Sequence, residues 1–225
     1  MEPQCGFTFL MKDEPKKKSF KWNLTEDRIL PLEEINRLRH AGGKIKESGI
    51  KHREFFLVRD WFMIELGLFT GLRVNEIHDL KVGDLLIDAG YSSIVVRNGK
   101  GGKKRNVWIS LKFKSICQEF LRIRKYFGLV NNEDSYLLSS ESGGQLSKRS
   151  FQKAFKRCLH KAGIDLDCGI HILRHTYATF LLKSGRNLKL VQKQLGHSSI
   201  KTTEVYISLL RDDTEKALEL LYRGK

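Results

Sequence analysis

The sequence predicts an α+β fold, mainly α-helical with a small three-stranded antiparallel sheet. Three observations lead there. Most of the chain carries apolar residues at helical spacing. One stretch, from Asp84 to Ile109, switches to period two and is rich in β-branched residues. Within it, Asn98-Gly99-Lys100-Gly101-Gly102-Lys103-Lys104 is a turn signal between two strand-like runs.

Residues 1–28 read as a basic, flexible arm holding two of the three prolines and the run Lys16-Lys17-Lys18. Its charged residues and short apolar run do not make a signal peptide. A helix is expected after Pro31, with Leu32, Ile35 and Leu38 on one face and Gly42-Gly43 as its end. A longer helix follows over 54–69. Thr70-Gly71-Leu72-Arg73 then turns into a helix through Ile77 and Leu80. Ile94-Val95-Val96 and Val107-Trp108-Ile109 are predicted strands, with 85–87 as an edge strand. Helices are predicted over 111–127, 147–162, 169–183, 188–195, 200–208 and 212–221, the third stopping at Gly185.

The charge balance points to a partner. Lys and Arg number 41 against 26 Asp and Glu, a formal +15, and a surface this basic attracts a polyanion, of which nucleic acid is the commonest. No basic amphipathic helix stands out for a membrane surface, and no apolar run is long enough to span one. The four cysteines, Cys5, Cys117, Cys158 and Cys168, form no C-x-x-C pair and are expected to be reduced thiols of a cytoplasmic protein.

Two familiar patterns fail on inspection. Gly99 to Lys104 lacks the Ser or Thr of a P-loop and joins two strands rather than a strand and a helix. His171 and His175 stand four apart, but Ile172 occupies the place where a zinc-protease helix carries glutamate.

What remains fits metal-free attack on a phosphodiester. That chemistry needs a nucleophile, fixed positive charge at the non-bridging oxygens, and a proton donor for the leaving oxygen. His171 and Arg174 are i and i+3 on one helical face, Arg73 follows a tight turn, and Lys100 sits at a hairpin tip. His197 and Tyr206 follow within the next segments. Arginine suits the charge role because its planar fork grips two phosphate oxygens and stays protonated.

Four segments resemble the tyrosine recombinase (phage integrase) family, in its order and over most of residues 30–210. They are Thr70-Gly71-Leu72-Arg73-Val74-Asn75-Glu76, the hairpin Gly99-Lys100-Gly101, the H-x-L-R-H signature at His171-Ile172-Leu173-Arg174-His175, and Leu195-Gly196-His197 leading through Thr202-Thr203 to Tyr206. The resemblance implies that family's catalytic-domain fold over 29–210, with 211–225 a C-terminal helix that is either exchanged between protomers or packed on its own domain. It implies a site-specific recombinase that cleaves and rejoins double-stranded DNA through a 3′-phosphotyrosyl intermediate, as a homo-oligomer (a tetramer) on DNA, with no metal or nucleotide cofactor. Tyr206 would be the nucleophile, Arg73 and Arg174 the phosphate clamp, Lys100 the general acid, His171 the proton-transfer partner of the nucleophile, and His197 a phosphate ligand. Glu76 would brace the active-site helix, and Lys103, Lys104 and Arg105 would touch the DNA backbone, with Lys103 the substitute should Lys100 not be the acid. The expected location is the cytoplasm, on nucleoid DNA. The neighbouring alternatives are a type IB topoisomerase-like enzyme and a non-catalytic DNA-binding regulator. Two departures stand out: about thirty residues precede the family-like region where most members carry a DNA-clamp domain, leaving either a catalytic-domain-only enzyme or a fragment. Ile170 also replaces the proline common before the signature histidine.

Overall fold

The computed structural model describes residues 29–87, 90–99, 102–184 and 187–196. In chain order the elements are α1 (Leu32–His52), α2 (Phe55–Thr70), α3 (Val74–Asp79), β1 (Leu85–Leu86), β2 (Ser93–Val96), β3 (Arg105–Trp108), α4 (Leu111–Tyr126), α5 (Lys148–Lys161), α6 (His171–Lys183) and α7 (Leu188–Leu195). The expected helices over 200–208 and 212–221, the basic arm and Gly185 lie outside the described residues.

Helix α2 organises the core. It is apolar nearly all round, the pattern of a helix enclosed by its neighbours, and Val58, Phe62, Met63, Ile64 and Leu66 are all at most 1% exposed. The Phe62 and Phe120 rings stack across α2 and α4 with centroids 3.9 Å apart. Two carboxylates buried on α2 are each neutralised by an arginine from another helix: Asp60 by Arg157 of α5 and Glu65 by Arg39 of α1. A buried charge without such a partner costs several kcal/mol.

Helix α1 corrects one expectation. It runs unbroken through Gly42 and Gly43 to His52 and ends at Arg53 in the left-handed conformation. Gly42 serves close approach instead: a β-carbon there would meet Trp61 Cδ1 at 3.3 Å. Glycine lowers helix propensity by only about 1 kcal/mol, which packing against α2 overrides.

The sheet is antiparallel in the order β1-β2-β3, with Ile94 opposite Val107 and Val96 opposite Arg105. Strand β3 begins two residues earlier than its apolar run suggests, which places Arg105 on the strand. Helices α4 and α5 start at serine caps: Ser110 Oγ accepts from Phe113 N and Ser147 Oγ from Ser150 N. Asn187 caps α7 in the same way, and Gly196, with φ of 65°, ends it.

Helix α6 bridges two cores. Ile172 and Leu173 at its start join the main core, while Ala178 and Leu182 pack with Val191 and Leu195 of α7 in a smaller one. Gly67 lets α6 lie directly against α2, since a β-carbon there would stand 2.6 Å from Leu173 Cδ1. The first turn of α6, carrying His171 and Arg174, is thereby pinned beside the end of α2. Among the described residues no helix is long and apolar enough to cross a membrane.

Candidate active site

The Thr70–Arg73 turn is built from the inside. Thr70 Oγ1 donates to the Leu66 carbonyl at 2.5 Å, and Gly71 takes φ of 60° as the C-cap of α2. A side chain at Gly71 would be strained by that backbone and would collide with the Tyr177 ring of α6. Gly71→Ala is therefore expected to lower stability by at least about 1–2 kcal/mol, the cost of a left-handed non-glycine residue, read as a reduced urea midpoint at unchanged m-value. An unchanged midpoint would mean that the turn relaxes freely.

Arg174 locks this turn from the opposite side. It is 7% exposed, and its guanidinium donates to Gly71 O at 2.6 Å and to Leu195 O at 2.8 Å. One side chain thus ties the end of α2 to the end of α7, the point from which the chain continues to His197.

Glu76 lies between the arginines. Its carboxylate accepts from Arg73 N at 2.8 Å and Arg73 Nη1 at 2.9 Å. It takes both Arg105 amino nitrogens, at 2.8 and 3.0 Å, and stands 4.0 Å from Arg174. Burial alone would raise the Glu76 carboxyl, but the Arg105 hydrogen bonds, the Arg73 N–H and the charges of Arg105 and Arg174 outweigh it. The group is held below the usual glutamate range and is ionised at neutral pH.

His171, first residue of α6, completes the cluster. Partial burial, then the charges of Arg174 and Arg73, push its imidazole below the ordinary histidine value. That shift favours the neutral imidazole, the form able to accept a proton. The arrangement joins a proton acceptor to arginine donors braced by one carboxylate, with Arg73 still 27% exposed in its side chain. Such a site suits an anionic, tetrahedral oxygen cluster such as a phosphodiester.

Residues 30–212 match the phage integrase family. The chain belongs to that family. A curated relative, tyrosine recombinase XerC of Haemophilus ducreyi (strain 35000HP / ATCC 700724), is 39% identical over 153 residues, covering 68% of this chain and 48% of the relative. Tyrosine recombinase XerD of Oceanobacillus iheyensis (strain DSM 14371 / CIP 107618 / JCM 11309 / KCTC 3954 / HTE831) is 35% identical over 179 residues, covering 79% and 56%. The crystal structure of XerH site-specific recombinase bound to palindromic difH substrate, a post-cleavage complex, superposes with a TM-score of 0.70 at 30% identity, covering 86% of this chain and 53% of that one. The chain spans about half the length of the curated relatives it matches. The fold is that of the family's catalytic domain, mostly helical with the three-stranded sheet.

Within this family fold, Arg73 and Glu76 at the start of α3 come together with His171 and Arg174 at the start of α6. Lys103 and Lys104 are exposed on the approach to β3. Lys100, His197 and Tyr206 lie outside the described residues. Arg105, expected to touch the DNA backbone, has a side chain that is 13% exposed. Strand alternation places it on the inward face shared with Val107, where it is committed to Glu76 and, through Nε, to the Gln194 carbonyl at 3.3 Å. Gln194 itself went unrecognised in the sequence. It is 7% exposed and bonds both backbone groups of Trp108.

Proposed function

We propose that this chain is the catalytic domain of a site-specific DNA recombinase that cleaves and rejoins double-stranded DNA through a phosphotyrosyl bond. The observation carrying this is the cluster of Arg73 and Arg174 around Glu76, with His171 one turn before Arg174 at the start of α6. Tyr206 Oη attacks the scissile phosphorus. A bond forms from tyrosine to the 3′ phosphate and the P–O5′ bond breaks. His171 takes the tyrosine proton, and Lys100 delivers one to the departing 5′ oxygen. Arg73, Arg174 and His197 bind the non-bridging oxygens. A 5′-hydroxyl from a second duplex then reverses the step, so the linkage energy is conserved and no nucleotide is consumed.

Exchange between two duplexes requires four strand cleavages, hence four such sites, which supports a tetramer on DNA in which residues 211–225 link protomers. Lys103 and Lys104, exposed beside the hairpin tip, suit phosphate contacts. The DNA acted on is that of the cytoplasmic nucleoid.

The test uses nicked suicide duplexes drawn from DNA flanking the gene, with supercoiled plasmid alongside. The protein is expected to form a covalent adduct on a denaturing gel without magnesium or ATP, and Tyr206→Phe is expected to abolish it. Relaxation of any plasmid without site preference would replace recombination with topoisomerase-like resealing. Tight, salt-dependent binding with no adduct on any duplex would make the chain a DNA-binding regulator.

A further inference from the structure

Gln194 stands where two parts of the site meet, and nothing in the proposed chemistry requires it to touch DNA. Its side chain pairs with β3 as another strand would: Oε1 accepts from Trp108 N at 3.2 Å and Nε2 donates to Trp108 O at 2.6 Å. Nε2 also donates to the Tyr177 hydroxyl at 3.2 Å, reaching α6. A primary amide can offer one donor and one acceptor side by side, which is what a strand backbone presents. Its own main-chain carbonyl accepts from Arg105 Nε. The next carbonyl, Leu195 O, accepts from Arg174.

These bonds form one connected path. Arg105 pairs with Val96 in the β2–β3 register, three residues before Trp108 on its own strand. It reaches Glu76 with two hydrogen bonds, and Glu76 holds Arg73 by side chain and backbone. Arg105 also passes within contact of Gly196, where a β-carbon would stand 2.7 Å from its Nε, so α7 and β3 are close-packed at this point. If β3 slid relative to α7, Arg105 would leave either the Gln194 carbonyl or Glu76.

We propose that Gln194 is a positioning residue that clamps β3 to α7, holds Arg105 on Glu76, and so sets the orientation of Arg73 at the scissile phosphate. It acts through other residues, not on the substrate. The inference rests on the proposed strand-cleavage reaction, and one of its two readouts needs no reaction.

The first readout is amide hydrogen exchange in the free protein. Gln194→Leu keeps the bulk but not the paired donor and acceptor. It is expected to speed exchange at Trp108, whose N–H loses its acceptor, and also at Arg73, whose N–H is held by Glu76. Faster exchange at Trp108 with Arg73 unchanged would overturn the relay, whatever the chain does to DNA.

The second readout is single-turnover adduct formation at saturating protein, on a normal scissile phosphate and on a methylphosphonate. The methylphosphonate lacks one non-bridging charge and depends less on an aligned arginine. Gln194→Leu is expected to slow cleavage of the normal phosphate by ten-fold or more, with unchanged duplex affinity, and to slow the methylphosphonate by a clearly smaller factor. Gln194→Glu, which keeps the acceptor for Trp108 N and loses the donor to Trp108 O, should fall between. An equal loss on both substrates, or a loss in binding alone, would overturn the proposal in favour of a merely structural amide. Absence of any adduct with the unmutated protein would fail the recombinase reading itself and remove the catalytic half of the proposal, while the exchange result still decides the relay.

Discussion

Arg174→Lys is expected to slow cleavage by at least about 10²–10³-fold, the usual cost of losing one preorganised donor at a developing oxyanion. The charge is kept, so the loss comes from shape. The guanidinium spans Gly71 O and Leu195 O with two different amino nitrogens. A lysine ammonium is a single point with three donors and cannot hold both carbonyls while facing a phosphate. The two carbonyls are buried with it, and stranding either costs about 1–3 kcal/mol. Two measurements separate the effects. Single-turnover adduct formation at saturating protein gives the chemical step, and a urea melt gives stability. A folded variant that cleaves within ten-fold of the unmutated protein would show that the fork geometry is not used, and would move the charge role to Arg73.

The same residue shows how far the sequence could be read. His171 and Arg174 share a helical face whatever the fold, because their spacing alone puts them there. That they meet Arg73 depends on Gly67 and Gly71, which let α6 approach α2 closely enough for Arg174 to reach the Gly71 carbonyl. The strands were visible because β-branched runs flanked a glycine-rich turn. Gly42 and Gly43 were misleading for a related reason: glycine in a helix is a stop signal only where no neighbour needs the space, and Trp61 needs it. The bonds of Arg105 within the protein were harder to see. Counting back by two from Val107 would have placed it inward, but its neighbours Lys103 and Lys104 made it look like part of a surface run. Gln194 carried no signal, since its partners on β3 are backbone atoms far away in sequence. Arg124 is similar: it is 1% exposed and holds the Val130 and Leu137 carbonyls, ordering a stretch with no helix or strand of its own.

The direction in which Glu76 titrates sets what it contributes to stability. Asp60, Glu65 and Glu76 are buried carboxylates that face arginines, yet they shift in opposite senses. At Asp60 and Glu65, burial comes first and prevails over a single hydrogen-bonded arginine, so both are raised. At Glu76, burial is outweighed by Arg105, the Arg73 N–H and the charge of Arg174, so the group is lowered. A carboxyl lowered on folding contributes stability that is complete above its unfolded value and is lost as pH falls through the folded one. Glu76→Gln is therefore expected to cost about 3–5 kcal/mol at neutral pH, the range for removing one partner of a buried pair. The lower end is favoured because Arg73 reaches solvent. The gap between the two proteins should hold from pH 7 to about 5 and narrow below the ordinary glutamate value of about 4.3. Denaturant melts at pH 7, 5 and 3.5 check this, and a gap that is the same at all three would mean that shape, not charge, is what Glu76 provides. The charge reading also has a consequence for the site. Counted over these four side chains alone, one carboxylate and three arginines carry a formal charge of +2. That is enough neutralisation to hold the arginines together before DNA arrives, and leaves the cluster positive for a phosphodiester to occupy. Glu76→Gln would remove the restraint along with the negative charge, so DNA would bind at least as tightly while cleavage slowed.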